Sequence, residues 1–399
     1  MNFTPNANRK HIGIYGNTNS GKSSLMNKIL NQDISLVSNI EGTTTDPVQK
    51  AMELIPFGPV LLIDTAGLED KSELGEIRIR KSFEFLKRLD FAIYVVDGEN
   101  VDIDTYKIWK KEANKYNISH MVVINKLDKL SYNEIENINK LFNRPLFISA
   151  KEDSNINKLK EDLIKSLEED EKERPILGDV LPYGSNVVLV VPIDSEAPKG
   201  RIILPQVQVI RDCLDNGIKT YVVRDTELSE AINELNNIDL VITDSQAFKE
   251  VENIIPKDMK LTSFSILFAR QKGELKDFFK GTEKLKDLKV GDKVLICESC
   301  THNISHEDIG RVKIPRMLKK MVGGDLDIEH KVGYDFREDV EKYDLIIHCG
   351  ACMVNRKSII NKINICREKN VSITNYGMVI AYFTNILNRS VEIFKDEIN

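Results

Sequence analysis

The residues from Gly16 to Ser23 read Gly-Asn-Thr-Asn-Ser-Gly-Lys-Ser, the spacing of a phosphate-binding loop. A short apolar run (Ile12, Ile14) precedes them, and Leu25, Ile29 and Leu30 follow at helical spacing. Strand, loop and helix therefore come in the order such a loop requires. Gly16 and Gly21 let successive backbone N–H groups point at phosphate oxygens, and the helix adds its positive N-terminal end. Lys22 is placed to reach the β- and γ-phosphates, and the Ser23 hydroxyl to bind Mg²⁺. Asn17, Asn19, Ser20 and Ser24 complete the expected lining.

Three later stretches specify the nucleotide. "LLIDTAGLED" ends an apolar strand in Asp64-Thr65-Ala66-Gly67, a carboxylate for the Mg²⁺ water and a glycine N–H for the γ-phosphate. "MVVINKLDKL" ends another in Asn125-Lys126-Leu127-Asp128, where the Asp128 carboxylate can accept from both N1–H and the 2-amino group of guanine. Adenine lacks that pair of donors. "PLFISAK" supplies Ser149-Ala150-Lys151, whose backbone can meet the guanine O6. Between loop and Asp64 lies "EGTTTDPV", a first switch segment with Thr44 as Mg²⁺ and γ-phosphate ligand, and Thr43 or Thr45 one register away. Leu68 stands where Ras-like enzymes place the glutamine that orients water.

A second constellation lies far from the first. "CESCTHNISH" from Cys297 and "IIHCGACM" from Ile346 hold four of the six cysteines and three of the six histidines. Each follows a buried-type strand, and in parallel α/β sheets ligands gather beyond the carboxyl ends of strands, so both should reach one edge. Cys349 and Cys352 form a Cys-x-x-Cys claw around the small Gly350-Ala351, and Cys300 offers a third thiolate. Cys297 continues the apolar run Val294-Leu295-Ile296 and reads as core. His302 and His348 flank the thiolates as candidates for a fourth ligand; His306 and His330 read as solvated loop residues, and residues 303–347 as a long loop. A closed zinc site, a redox dithiol and a [4Fe–4S] cluster on three cysteines all fit this spacing.

These residues need elements to hold them. The segment 155–172 has helical spacing and ends in a charge run before Pro175, closing the first domain. Strands and helices then alternate at short intervals ("NVVLVVPID", "LPQVQVIRDCLDNG", "IKTYVV", "LSEAINELNN", "IDLVITD"), the pattern of a small parallel α/β domain. It carries no catalytic constellation, and Cys213 reads as core. "LTSFSILFAR" adds surplus apolar surface, which points to an assembly interface. The fold class is therefore α/β, a P-loop GTPase domain followed by two small parallel α/β domains. With 62 acidic against 56 basic residues, and no basic block, nucleic acid is not an expected partner. No run of 18 apolar residues occurs. A cytoplasmic, reducing compartment fits so few cysteines.

Over about the first 160 residues the combined motifs resemble the translation-factor-like GTPases. "GNTNSGKSSLMN" and "GTTTD" resemble the branch typified by tRNA-modifying GTPases, a resemblance that implies a K⁺ ion held by Asn19 between α- and γ-phosphates, easing developing charge. Cys300-Thr301-His302 followed by His348-Cys349-x-x-Cys352 is similar to the HydF family, the GTPases that mature [FeFe]-hydrogenases, and the similarity extends over the whole chain. It implies a GTPase domain at 1–172, a dimerisation domain at 180–265 and a cluster domain at 266–399. It further implies a [4Fe–4S] cluster on Cys300, Cys349 and Cys352, and a homodimer or higher oligomer. The family is a carrier that takes a di-iron precursor from two radical SAM enzymes and delivers it to the hydrogenase. The competing reading is a tRNA-modifying or ribosome-assembly GTPase with a structural zinc site.

Overall fold

A computed structural model describes residues 4–31, 38–40, 47–69, 73–170, 174–193, 202–298, 308–333, 336, 339–351 and 353–398. The chain divides into two compact units, Met1–Glu173 and Arg174–Asn399.

The first unit is built on β1 (Lys10–Gly16), β2 (Ser38–Ile40), β3 (Val48–Leu54), β4 (Gly58–Asp64), β5 (Phe91–Asp97), β6 (Ser119–Asn125) and β7 (Leu146–Phe147), in the order β2-β3-β4-β1-β5-β6-β7. β3 runs antiparallel to β2 and β4, and the remaining neighbours are parallel. Helices cover both faces, which is why the central strands read as unbroken apolar runs. Ile12, Ile14, Leu62, Ile93 and Val95 pack on one side with Leu25, Ile29 and the helix Ile156–Asp170. Tyr15, Leu61, Ile63 and Tyr94 pack on the other against fully buried Trp109, whose ring lies 4.8 Å from that of Tyr94. Parallel pairing brings the ends of β1, β4, β5 and β6 to a single edge, from which the phosphate loop, Asp64 and Asn125 start.

The second unit holds two four-stranded parallel sheets. One comprises β8 (Asn186–Val190), β9 (Lys219–Val223), β10 (Leu240–Thr243) and β11 (Leu261–Ser263), ordered β11-β10-β8-β9. The other comprises β12 (Lys293–Glu298), β13 (Asp327–Val332), β14 (Leu345–His348) and β15 (Ser372–Asn375), ordered β13-β12-β14-β15. Strands pass directly into helices through their last residue: Ser263 caps Phe264–Lys272 by accepting from Ile266 N, and Asn375 caps Tyr376–Phe383 by accepting from Met378 N.

Two sequence expectations change here. The apolar stretch "LTSFSILFAR" forms β11 and the helix after it, and Leu261, Phe264, Leu267 and Phe268 sit in one core shared with Leu295, Ile346 and Ile373 of the other sheet and Ile363 of the helix Arg356–Glu368. Its apolar surface joins the two sheets and is not left over for a partner. Residues 303–347 are not one long loop either. They contain the helix Ile314–Val322 and β13, which pairs in parallel with β12. Pro315 hid this helix in the sequence, yet proline is well tolerated in a first helical turn. Ile314 and Leu318 are fully buried, and Gly323 ends the helix in the left-handed region.

Arg270 ties this unit together. Its side chain is 2% exposed and makes a two-pronged contact with Asp179, at 2.9 and 2.7 Å, and a 2.8 Å bond to Glu397. Asp179 and Glu397 are each about a third exposed and also pair with Arg174, so removing Arg270 costs its own bonds and packing more than it strands their charges. Arg270→Ala is expected to lower stability in urea unfolding by about 1–3 kcal/mol, from lost charge-assisted bonds and packing; a loss below ~0.5 kcal/mol would mean the pairs are solvated and weak.

Candidate nucleotide and metallocluster sites

The loop after β1 is shaped by close backbone approach. Gly16 and Gly21 have φ of 144° and 93°, and a Cβ at either would lie 2.1 Å from Val95 O or Asn125 Nδ2. Asn19, also left-handed at φ 60°, is exposed at the loop's tip. Lys22 is buried, and its ammonium donates to Gly16 O at 3.0 Å and Asn17 O at 2.7 Å. Burial pushes its pKa down, with Asp64 and Glu69 opposing. Loop carbonyls thus hold a cation that a phosphate would satisfy better. The Ser23 hydroxyl donates to Asp64 Oδ2 at 2.5 Å, while Asp64 Oδ1 is buried without a partner. Burial raises the Asp64 carboxyl, and a cation beside it would reverse that. Gly67 reaches so close to the loop that a Cβ would meet Thr18 Oγ1 at 2.2 Å. Ser24 is exposed on the first helical turn. Thr43, Thr44 and Thr45 lie outside the described residues.

The base-reading segments meet the loop from the same edge. Asn125 is buried and bridges two segments: its amide donates to Ser20 O at 2.9 Å and accepts from Ala150 N at 3.0 Å. Lys126 adopts φ 65° and reaches Asp97 at 2.5 Å. Ser149 donates to Asp128 Oδ1 at 2.5 Å, which with the neighbouring lysines holds this exposed carboxyl below its usual range. Lys151 is exposed. Sequence reasoning missed Asp97, which anchors Lys126, and Glu69 and Asp102, which accept from Asn17 Nδ2 at 3.1 and 3.0 Å. Asp97 was readable as the polar end of the run "FAIYVVD".

In the second unit, β12 and β14 are adjacent and end together, with Cys297 opposite His348 and His348 opposite Asn375. Side chains alternate between faces. Cys297 accordingly turns into the shared core, where burial pushes its thiol up to about 12. Cys349, Glu298 and Tyr376 belong to the opposite face, and Cys349 and Tyr376 pack in a single apolar cluster with Ile296 and Ile347. Cys349 N continues the ladder by donating to Cys297 O at 2.9 Å. Ala351 takes φ 57°, and buried Lys272 holds the turn through Ala351 O at 3.2 Å and Val354 O at 3.0 Å. His348 is buried, its Nε2 3.0 Å from Lys362 Nζ, and burial pushes its pKa down to about 3. His330, expected in a loop, lies in β13. Cys300, His302, His306 and Cys352 lie outside the described residues. Among the described residues, no group of three or more His, Cys, Asp or Glu is set to hold a metal ion.

Family comparisons follow this layout. A model of a 50S ribosome-binding GTPase matches residues 11–126, a hydrogen maturase F dimerization domain matches 176–273, and a hydrogen maturase F tetramerization domain matches 276–393. The chain belongs to the hydrogen maturase F family. Its first unit is a P-loop GTPase domain. The tRNA modification GTPase MnmE of Mycoplasma mycoides subsp. mycoides is 37% identical over 139 residues, 34% of this chain and 30% of that protein. GTPase Der of Nitratiruptor sp. is 40% identical over 119 residues, 30% of this chain and 26% of that one. The chain spans about a third of the length of the curated relatives it matches. Among solved structures, Era of Aquifex aeolicus bound to GDP and aluminium fluoride gives a TM-score of 0.34 at 18% identity, covering 54% of this chain and 93% of that one. Among the described residues of this hydrogen maturase F chain, no helix is long and apolar enough to cross a membrane.

The Asp128 geometry has a direct test. Asp128→Asn replaces an acceptor of two guanine donors by an amide, and is expected to weaken GTP binding roughly ten- to a hundredfold. The variant should gain affinity for xanthosine triphosphate, whose 2-oxo group accepts from the new amide. Fluorescence titration checks both, and unchanged GTP affinity would move the base elsewhere.

Proposed function

We propose that the chain is a GTP-hydrolysing scaffold that holds one [4Fe–4S] cluster on Cys300, Cys349 and Cys352 and carries a di-iron precursor to [FeFe]-hydrogenase. The observation that carries this reading is the pairing of β12 with β14, which ends two strands at one edge, two residues short of Cys300 on one side and immediately before Cys349 on the other. What supports an iron–sulfur cluster here is soft thiol chemistry at a strand end: Cys349 directly follows β14, and Ala351, at φ 57°, turns the chain just before the next cysteine in the sequence. When bound, the cluster supplies an iron not closed by cysteine, where a metal-bearing cargo can attach. Lys272 donates to Ala351 O and Val354 O, two carbonyls of the segment that follows Cys349, and so steadies the backbone next to that cysteine. His302 or His348 would complete the ligand set; His348 reaches that position only by leaving Lys362.

In the first unit Lys22 would lie against the β- and γ-phosphates, Ser23 and Thr44 would ligate Mg²⁺, and Asp64 would hold its water. Gly67 N–H would face the γ-phosphate. Leu68 has no group to orient water, so transition-state charge must be met otherwise, and an Asn19-bound K⁺ answers that need. Self-association through 176–273, and to a tetramer through 276–393, follows from the matched domains, which are named for those assemblies. The edge strand β9, with exposed Tyr221 and Val222, offers an apolar surface for it. Radical SAM enzymes would load the scaffold and the hydrogenase would unload it, in a cytoplasmic setting. The zinc-site reading draws on relatives that match about a third of the chain, and leaves both maturase segments unexplained.

Anaerobic reconstitution with iron and sulfide tests the cluster. Cys300→Ala, Cys349→Ala and Cys352→Ala should each lose the iron while Cys297→Ala keeps it, and all four should still hydrolyse GTP. Tight uptake of zinc with no iron would defeat the proposal. GTP turnover should also be faster in K⁺ than in Na⁺; equal rates would remove Asn19 from a cation site.

A further inference from the structure

Three helices of the second unit, Leu275–Glu283, Ile314–Val322 and Tyr376–Phe383, line a groove of about 800 Å³. Each already buries one apolar face, with Phe278, Leu318 and Val379 inside the fold. The groove is lined by a second apolar set, Phe279, Met317, Met321, Tyr382 and Phe383. Met317 and Met321 stand one turn apart on their helix, and Met321 is 36% exposed. The rings of Tyr382 and Phe383 lie 5.6 Å apart, edge to face. Aromatic rings edged by adaptable methionines are the composition of a contact centre. The rim carries both signs: Glu283, Lys286 and Lys320 are all exposed. A two-fold axis sets a patch against its own copy, so that residue i meets j and j meets i, and a rim with both acid and base can then pair with itself. The whole lining falls within 276–393, the segment matched by the tetramerization domain, and none of it within 176–273, the segment matched by the dimerization domain.

We infer that this groove is the contact between two dimers, each copy setting Met321 into the groove of a second copy across a two-fold axis. This rests on the self-association proposed above and names the surface that carries its second step. Met321 and the Tyr382–Phe383 rings form the buried centre, and the three charges form the rim.

Sedimentation velocity of the full-length chain tests this. Wild type should form a tetramer. Met321→Asp should raise the dimer–tetramer dissociation constant about tenfold or more, because each substitution enters a two-fold contact twice, and dissociation should stop at the dimer. Glu283→Lys leaves the rim without an acid, so it should also yield dimers at low salt and return towards tetramer at high salt, where repulsion is screened. Both positions are exposed, and both variants should keep the far-UV circular dichroism and GTP turnover of wild type. A tetramer that persists in both variants would overturn the inference alone. Variants that fall to monomers would also overturn it, since the groove would then belong to the first interface. A wild-type chain that never exceeds a dimer would overturn the tetramer reading and the inference with it.

Discussion

Parallel pairing of β12 with β14 is the interaction on which the chemistry proposed for the second unit depends. Parallel strands joined by hydrogen bonds must end at one edge, and the register that sets Cys297 opposite His348 decides which residue leaves each strand first. The two-residue period then sorts side chains without further help. Cys297 goes to the shared core, where burial pushes its thiol up to about 12, and buried His348 lies on the same face. Cys349 goes to the other face with Glu298 and Tyr376. A slip of β14 by one residue would move Cys349 to the face of Cys297 and His348 to the other.

The first unit uses the same geometry for different chemistry. β1, β4, β5 and β6 deliver Gly16, Asp64, Asp97 and Asn125 to a common edge, and side chains and close approaches then lock the loops to one another. Asn125 spans from Ser20 to Ala150, so the base-reading segment and the phosphate loop share one buried amide. Lys22 satisfied by carbonyls and Asp64 with an orphaned oxygen describe a site whose charges lack their proper counterparts. A phosphate and a divalent cation are what those groups would accept.

Much of this was legible before any coordinates because it is local. The phosphate loop, the Asp64 strand and the Asn125–Asp128 segment each combine an apolar run with polar residues immediately after it, and chain continuity alone positions them. Cys297 as core followed from the run it extends. What was illegible depends on distant neighbours. Lys272 and Lys362 look like surface charges in sequence, yet both are buried and hold the Cys349 region by carbonyl and imidazole. The apolar "LTSFSILFAR" signalled burial but not against what; its partner is the second sheet. Pro315 masked a helix, and the crossover it begins places β13 and His330 beside β12.

In the proposed function, the edge shared by β12 and β14 seats an iron–sulfur cluster with one iron that cysteine does not close. Mössbauer spectroscopy of the full-length chain reconstituted with ⁵⁷Fe reads this directly. The expected spectrum is that of a cubane cluster in which one iron is distinguishable from the others and changes when an added small ligand binds, while the rest do not. A spectrum of isolated iron in a thiolate site, or four irons indifferent to added ligand, would contradict it.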